Sequence, residues 1–134
     1  MNATSEFGAF TGKKYLNLET YRKNGTAVRT PVWFAAADDT AQGASPRKLY
    51  VYTIGESGKV KRIRNDARVK IAPCDVRGAV QGEWVAARAE IVTGEEAARG
   101  MRLLNRKYAP WKQLLDFFAM FRRRQRIVFA IQPE

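Results

Sequence analysis

Residues 49–69 of this chain run Leu-Tyr-Val-Tyr-Thr-Ile-Gly-Glu-Ser-Gly-Lys-Val-Lys-Arg-Ile-Arg-Asn-Asp-Ala-Arg-Val, the most informative segment of the sequence. Leu49 to Thr53 is β-branched and aromatic, which predicts a strand. Gly55 to Gly58 predicts a turn, in which Ser57 is a good N-cap for a following helix. Gly58 would let a ligand approach the backbone closely, since glycine has no side chain.

The residues after this turn predict a short helix with one apolar and one basic face. Val60 and Ile63 lie one turn apart, on a face that suits burial. Lys59 and Arg62 fall together on another face, with Lys61 and Arg64 beside them. Two interpretations fit: a solvated basic face on a capped surface helix, or a site for a phosphate or carboxylate at the helix N-terminus. The glycine spacing excludes a Walker loop and a dinucleotide fingerprint.

The composition excludes several classes of function. The chain has 134 residues, which suits one domain, and a net charge of +11, which predicts attraction to polyanions. It has no histidine, so the commonest general base and metal ligand are excluded, and we predict no metal site. Its single cysteine, Cys74, excludes an intrachain disulfide, and its apolar neighbours predict a buried, inert thiol.

The distribution of apolar residues predicts no membrane segment. Polar residues follow Met1 without an apolar run, which is unlike a signal peptide. No run approaches the roughly 18 apolar residues that a spanning helix needs. We therefore expect a cytoplasmic protein without membrane contact.

The other segments predict short strands joined by turns. Asn24-Gly25 is a strong hairpin signal between the arms Glu19–Arg22 and Thr26–Phe34. Pro31 cannot donate to a ladder, so the second arm is expected at an edge or a bulge. Further strands are predicted at Val69–Cys74, Glu83–Val92 and Ile127–Ile131.

Helices and loops complete the predicted order. A helix begins at Gly94 and carries Met101, Leu104 and Tyr108 at helical spacing, and Trp111–Phe121 forms a second amphipathic segment. Residues 1–12 are expected to be flexible, and residues 35–46 to form a surface loop. Many short strands with few helices predict a mainly β, antiparallel barrel that carries helices, as a single domain over residues 1–134.

In their order and spacing, these segments resemble the pyridoxamine 5'-phosphate oxidase-like family of flavin split barrels, in particular the branch that uses the deazaflavin coenzyme F420. The resemblance rests on residues 20–34, 49–53, 57–65, 67–69, 88–90 and 103–108. It implies a six-stranded antiparallel split β-barrel that forms a homodimer, with two cofactors bound at the dimer interface.

The resemblance also implies a set of cofactor-binding residues. The cofactor's phosphate would be held by Ser57, Gly58, Lys59, Lys61 and Arg62. The tricyclic ring would lie along Thr30, Pro31, Val32 and Trp33, with Tyr52 and Thr53 on the ring and ribityl side. The first set coincides with the anion site that the residues themselves allow. No catalytic side chain is implied, because the coenzyme carries the hydride.

Two classes of function fit these observations. The first is an oxidoreductase that transfers hydride from coenzyme F420, or alternatively uses FMN, to a small conjugated organic substrate. The second is a binding protein without turnover, such as a flavin or haem carrier. The absence of histidine argues against pyridoxamine-phosphate oxidase activity, which relies on one in the resembled enzymes. The basic surplus favours a cofactor with a polyglutamate tail over FMN.

The aromatic residues and the last basic run allow further expectations. Trp33 is either a ring contact or ordinary core, whereas the other large aromatics are expected in the core or the dimer interface: Trp84, Trp111, Phe117, Phe118 and Phe121. Arg122–Arg126 lacks interleaved aromatic residues, so a solubilising turn is favoured over a nucleic-acid site.

Overall fold

The structure is a computed structural model that describes residues 7–37, 48–54, 58–108 and 126–134. A short 3-10 helix, Gly8–Phe10, precedes the sheet. The strands in these ranges are β1 (Tyr15–Tyr21), β2 (Ala27–Trp33), β3 (Ala35–Ala36), β4 (Leu49–Ile54), β5 (Arg68–Cys74), β6 (Val85–Val92) and β7 (Arg126–Pro133). The helices are α1 (Gly58–Asn65) and α2 (Gly94–Tyr108).

The strands form one antiparallel sheet that curls back on itself. Its order is β2-β1-β5-β6-β7-β4-β3. Phe34 alone separates β2 from β3, so one bent segment pairs with β1 through Trp33 and with β4 through Ala35. The two ends of the sheet are therefore consecutive in the chain. Counted as one strand, β2 and β3 give the six strands of the predicted split barrel, and this mainly β fold is confirmed.

The predicted hairpin forms at Asn24-Gly25. The Arg22 N–H donates to the Thr26 carbonyl at 2.9 Å, and Gly25 adopts a φ of 89°, which favours glycine. Pro31 lies in β2, at one end of the strand order, where a missing N–H costs no ladder bond. The turn signal and the edge signal were thus both interpreted correctly.

Two local predictions were wrong. Phe7 and Phe10 are 0% and 2% exposed, and Phe10 meets Phe34 edge-to-face at 5.8 Å, so this end of the expected flexible segment is part of the core. Ala35–Ala36 forms β3 and Ala37 is buried, although a surface loop was expected there. Other predictions lie outside the described residues: the rest of that loop, the turn with Ser57, the segment Trp111–Phe121, and residues 122–125 of the basic run.

The core has two parts, one on each side of the sheet. Leu16, Leu18 and Phe129 belong to the cluster inside the barrel, and α1 adds Val60 and Ile63 to it, at 0% and 4% exposure. We call the barrel side of the sheet the inner face. On the outer face, Leu103 and Leu104 of α2 cover β4 and β7. The apolar faces that were predicted for both helices are thus the faces they bury.

A buried carboxylate stabilises the hairpin on the outer face. Glu19 is 5% exposed, accepts a hydrogen bond from the Tyr21 hydroxyl at 2.6 Å, and accepts another from Arg29 Nε at 2.8 Å. Burial alone would raise the pKa of Glu19, but these two hydrogen bonds outweigh it and hold the pKa below its ordinary value. Burial and the bond to Glu19 raise the pKa of Tyr21 to about 12, so its hydroxyl stays a donor.

This cluster predicts a pH dependence of folding. Because the folded state lowers the pKa of Glu19, its contribution is complete above the unfolded pKa of 4.5 and is lost as the pH falls through the folded value. Glu19→Gln should lower the free energy of unfolding at pH 7 by about 1–2 kcal/mol. In urea titrations from pH 7 to pH 3, the variant's deficit should shrink towards acid. A deficit that is constant over this range would contradict the assignment.

Candidate functional site

The basic residues of α1 are not equivalent in the fold. Lys59 and Arg62 are half-buried, whereas Lys61 and Arg64 are exposed. The difference follows from packing, because α1 lies against β1 and β6, and Arg62 bonds Thr20 of β1. Sequence spacing predicted that Lys59 and Arg62 share a face. That this face adjoins the sheet is a new observation.

Arg62 is held in place by a buried hydroxyl of β1. Its Nε donates to Thr20 Oγ1 at 2.6 Å, and Thr20 is fully buried. The guanidinium then folds back over the first turn of the helix: a Cβ added to Gly58 would lie 2.7 Å from Arg62 Nη1. Gly58 therefore provides the space in which the end of Arg62 lies.

Lys59 and Arg62 form a positively charged pair. Burial lowers the pKa of Lys59, and the charge of Arg62 lowers it further. Burial also lowers the pKa of Arg62, and the nearby charge of Arg22 adds to this. Among the described residues, no carboxylate pairs with Lys59 or Arg62. Such a pair is a candidate site for an anion.

The residues carried over as ring contacts divide between the two faces of the sheet. Thr30 and Val32 lie opposite Leu18 and Leu16, on the inner face. The outer face carries Pro31, Trp33 and Tyr52; the last two pack against the cluster under α2. Thr53 lies opposite Ile127, which packs on the barrel core, so it faces inward. The structure brings these residues to one region, but not to one surface.

Tyr108, at the end of α2, organises the end of β2. Its ring stacks on Trp33, with centroids 4.7 Å apart and planes 10° from parallel. Its hydroxyl lies 2.6 Å from the Lys14 carbonyl and 2.7 Å from the Phe34 carbonyl, and it accepts a hydrogen bond from the Phe34 N–H at 3.0 Å. Burial raises the pKa of Tyr108, so the hydroxyl stays protonated. The sequence indicated Tyr108 only as a member of an apolar helix face.

Trp33 and Trp84 are both only partly buried. Tyr108 covers one face of Trp33, and the indole as a whole is only partly buried. Both interpretations made from the sequence, a ring contact or a core residue, therefore remain compatible with its position. Trp84 is not a core residue: Arg29 lies over its ring at 4.6 Å, as a cation–π pair on the outer face. Of the two places expected for Trp84, the core is therefore excluded within this chain, whereas the dimer interface stays a prediction.

Other candidate chemistry is limited in the described part of the chain. Those residues contain no group of three metal-binding side chains. Cys74 is buried, and burial raises the pKa of its thiol, as expected of an inert packing residue. A cleft of about 370 Å³ opens beside Tyr21, Arg68 and Lys70, and none of the carried-over cofactor residues lines it. No helix in the described ranges has the length and apolarity to cross a bilayer.

Comparison with known proteins identifies the family. A sequence model described as pyridoxamine 5'-phosphate oxidase matches residues 4–134. The chain belongs to the pyridoxamine 5'-phosphate oxidase family. This match confirms the family that the sequence segments were said to resemble. No curated protein matches the chain.

Solved structures of this family's fold carry different functions. The haem storage protein HutZ from Vibrio cholerae is 16% identical with a TM-score of 0.67, covering 92% of this chain and 84% of that one. An F420 reductase is 18% identical with a TM-score of 0.56, covering 96% and 94%. A FAD-binding protein from Mesorhizobium loti is 20% identical with a TM-score of 0.58, covering 100% and 91%. At these identities the likeness shows the fold alone.

Proposed function

We propose that this family member is an oxidoreductase that binds coenzyme F420 and transfers hydride to a small conjugated organic substrate. The observation that carries the proposal is the pair Lys59 and Arg62, two half-buried cations on one helix face with no described carboxylate beside them. Holding like charges together in partial burial costs free energy unless an anion joins them. The phosphate of a flavin-type cofactor is such an anion.

The donor set fits a phosphate. Arg62 and Lys59 offer charge-assisted donors, and Gly58 leaves room for the Arg62 guanidinium over the first turn of the helix. In the proposal, Ser57 completes the phosphate site, the exposed Lys61 adds only long-range attraction, and the ring lies along residues 30–33 and beside Tyr52 and Thr53. A planar ring contacts one face of a sheet. Residues whose side chains point to the opposite face would therefore contact the ring only through their backbone groups.

When bound, the coenzyme supplies hydride transfer, and the protein supplies position and electrostatics. The residues of α1 hold the anionic end of the cofactor, which fixes where the ring meets β2 and β4. Trp33, stacked on Tyr108, and its neighbour Tyr52 in the same apolar cluster exclude water from that side of the sheet. A function of this kind needs no histidine and no reactive cysteine, in agreement with the composition.

Three considerations favour the deazaflavin over the alternatives. The net charge of +11 suits a cofactor with several carboxylates better than FMN. A similar structure is an F420 reductase, although the similar FAD-binding protein supports a flavin as the alternative. The third consideration concerns the main alternative, a haem carrier without turnover, which the likeness to a haem storage protein would favour. Here, however, the commonest axial haem ligand, histidine, is absent.

The proposal predicts the order of cofactor affinities. The full chain should bind oxidised coenzyme F420 more tightly than FMN, measured by fluorescence titration of each cofactor at the same moderate salt. Riboflavin, which lacks the phosphate, should bind more weakly than FMN. Equal or tighter binding of FMN would reverse the cofactor assignment, and binding of haem alone would favour the carrier.

The proposed working unit is a homodimer with the cofactor at its interface. The same samples should sediment at about twice the chain mass of 15.2 kDa at micromolar concentration. A cofactor-bound particle with the mass of one chain would refute the interface site, while leaving the affinity order to stand on its own.

A further inference from the structure

A third cation, Arg22, approaches the pair on α1 from the β1–β2 hairpin. It follows Thr20 by two residues along the same extended chain, so it continues the side of β1 on which Thr20 meets Arg62. The hairpin fixes the backbone there, because the Arg22 N–H donates to the Thr26 carbonyl and the Arg22 carbonyl accepts from the Gly25 N–H at 2.8 Å. Its side chain is exposed, and its charge acts on Arg62.

The described acids of this region are already engaged elsewhere. Glu19, beside Thr20 in sequence, pairs with Arg29 at 2.8 Å. Asp66, just after α1, pairs with Arg68. Its carboxylate accepts from Arg68 Nη2 at 3.0 Å and from Arg68 Nε at 3.1 Å. Neither carboxylate contacts Arg22, Lys59 or Arg62. Arg22 and Arg62 therefore come together from two elements, with Lys59 beside Arg62 on the helix and no counter-charge among the described residues.

We infer that Arg22 is a third ligand of the phosphate site formed with Lys59 and Arg62, and that Thr20 is the positioning residue that orients Arg62 towards it. The inference deepens the proposed function, on which it rests for the identity of the cofactor. The ligand chemistry is that of a phosphoryl group, which binds best where arginine and lysine donors approach from more than one direction. Arg22 reaches this group from the hairpin, whereas the other two cations reach it from the helix.

The fold explains why sequence spacing does not reveal this residue. Arg22 stands next to Lys23 in a turn, where a basic residue ordinarily meets only solvent. Thr20 and Arg62 are separated by 42 residues along the chain. Their hydrogen bond joins the hairpin to the helix. A site divided between a hairpin and a helix also discriminates by shape, because a ligand must match both elements.

Inorganic phosphate is the probe that tests the inference without the ring. The full chain is melted with increasing phosphate at constant ionic strength, and the rise in Tm gives an apparent Kd for the folded state. Arg22→Ala should raise this Kd about three- to ten-fold, and Arg22→Lys should restore part of the loss. Thr20→Val should raise it by a similar factor, whereas Thr20→Ser, which keeps the hydroxyl, should stay close to the parent.

The control is Arg102→Ala, an exposed arginine of α2 that pairs with Glu95 and should leave the Kd unchanged. If Arg22→Ala matches Arg102→Ala, or if Thr20→Ser fails like Thr20→Val, the inference is overturned. It is also overturned if phosphate does not stabilise the parent beyond chloride. If phosphate binds as expected but no deazaflavin or flavin does, the proposed function fails and the phosphate site stands.

Discussion

Lys59→Ala is expected to weaken binding of the proposed cofactor about ten- to a hundred-fold. The change removes a charge-assisted donor, worth about 1.5–3 kcal/mol, from the half-buried pair with Arg62. The free energy of unfolding should be unchanged or slightly higher, because the folded state lowers the pKa of Lys59 and thus disfavours its charge. Fluorescence titration and urea unfolding of the same samples measure the two quantities.

Lys61→Ala is the matched control, since Lys61 has the same side chain on the same helix but is exposed. It should change the affinity by no more than about three-fold at moderate salt, where exposed charges are screened. Equal losses of cofactor affinity for the two variants would mean that partial burial does not distinguish Lys59 as a phosphate ligand. Losses that vanish for both in moderate salt would reduce α1 to a solvated basic helix.

Tyr108→Phe is expected to cause a large loss of stability from a single oxygen atom. The hydroxyl contacts the exposed Lys14 carbonyl and both part-buried backbone groups of Phe34, and without it the Phe34 groups lose their side-chain partner. We expect a loss of about 2–3 kcal/mol, which corresponds to a fall in Tm of roughly 6–12 °C for a domain of this size. The phenyl ring should keep its stack on Trp33, so the near-UV circular dichroism spectrum of the folded variant should resemble that of the parent.

Tyr15→Phe serves as the control for this substitution. Tyr15 is half-buried on β1, and its hydroxyl bonds no described residue. Its removal should cost less than about 0.5 kcal/mol. If the Tm of Tyr108→Phe equals that of the parent, the hydrogen bonds of the Tyr108 hydroxyl at the β2–β3 junction do not contribute to stability, because water replaces them.

Much of the fold was predictable because its signals are local. The Asn24-Gly25 turn and the apolar pair on α1 each depend on a few neighbouring residues, and both predictions were correct. The division of residues 30–33 between two faces also follows from strand periodicity alone. Phe7 and Phe10 could not be assigned from their polar surroundings, because their burial depends on the distant ring of Phe34.

The candidate site was less predictable, because its geometry is tertiary. Spacing placed Lys59 and Arg62 on one face of α1, but their distinction from Lys61 depends on which side of the helix meets the sheet. Thr20 and Tyr108 act through hydrogen bonds that span 42 and 74 residues of chain. Contacts over such separations carry no signature in a local pattern of residue types.

The position of β7 has a consequence for synthesis on the ribosome. This strand, the last of the described elements, lies between β4 and β6 and pairs with both. Until Arg126–Pro133 has emerged, β4 and β6 each present an open edge of unpaired backbone groups. The nascent chain is therefore expected to stay incompletely folded until this strand has left the ribosome, and a holdase chaperone that covers those two edges would raise the yield of native protein.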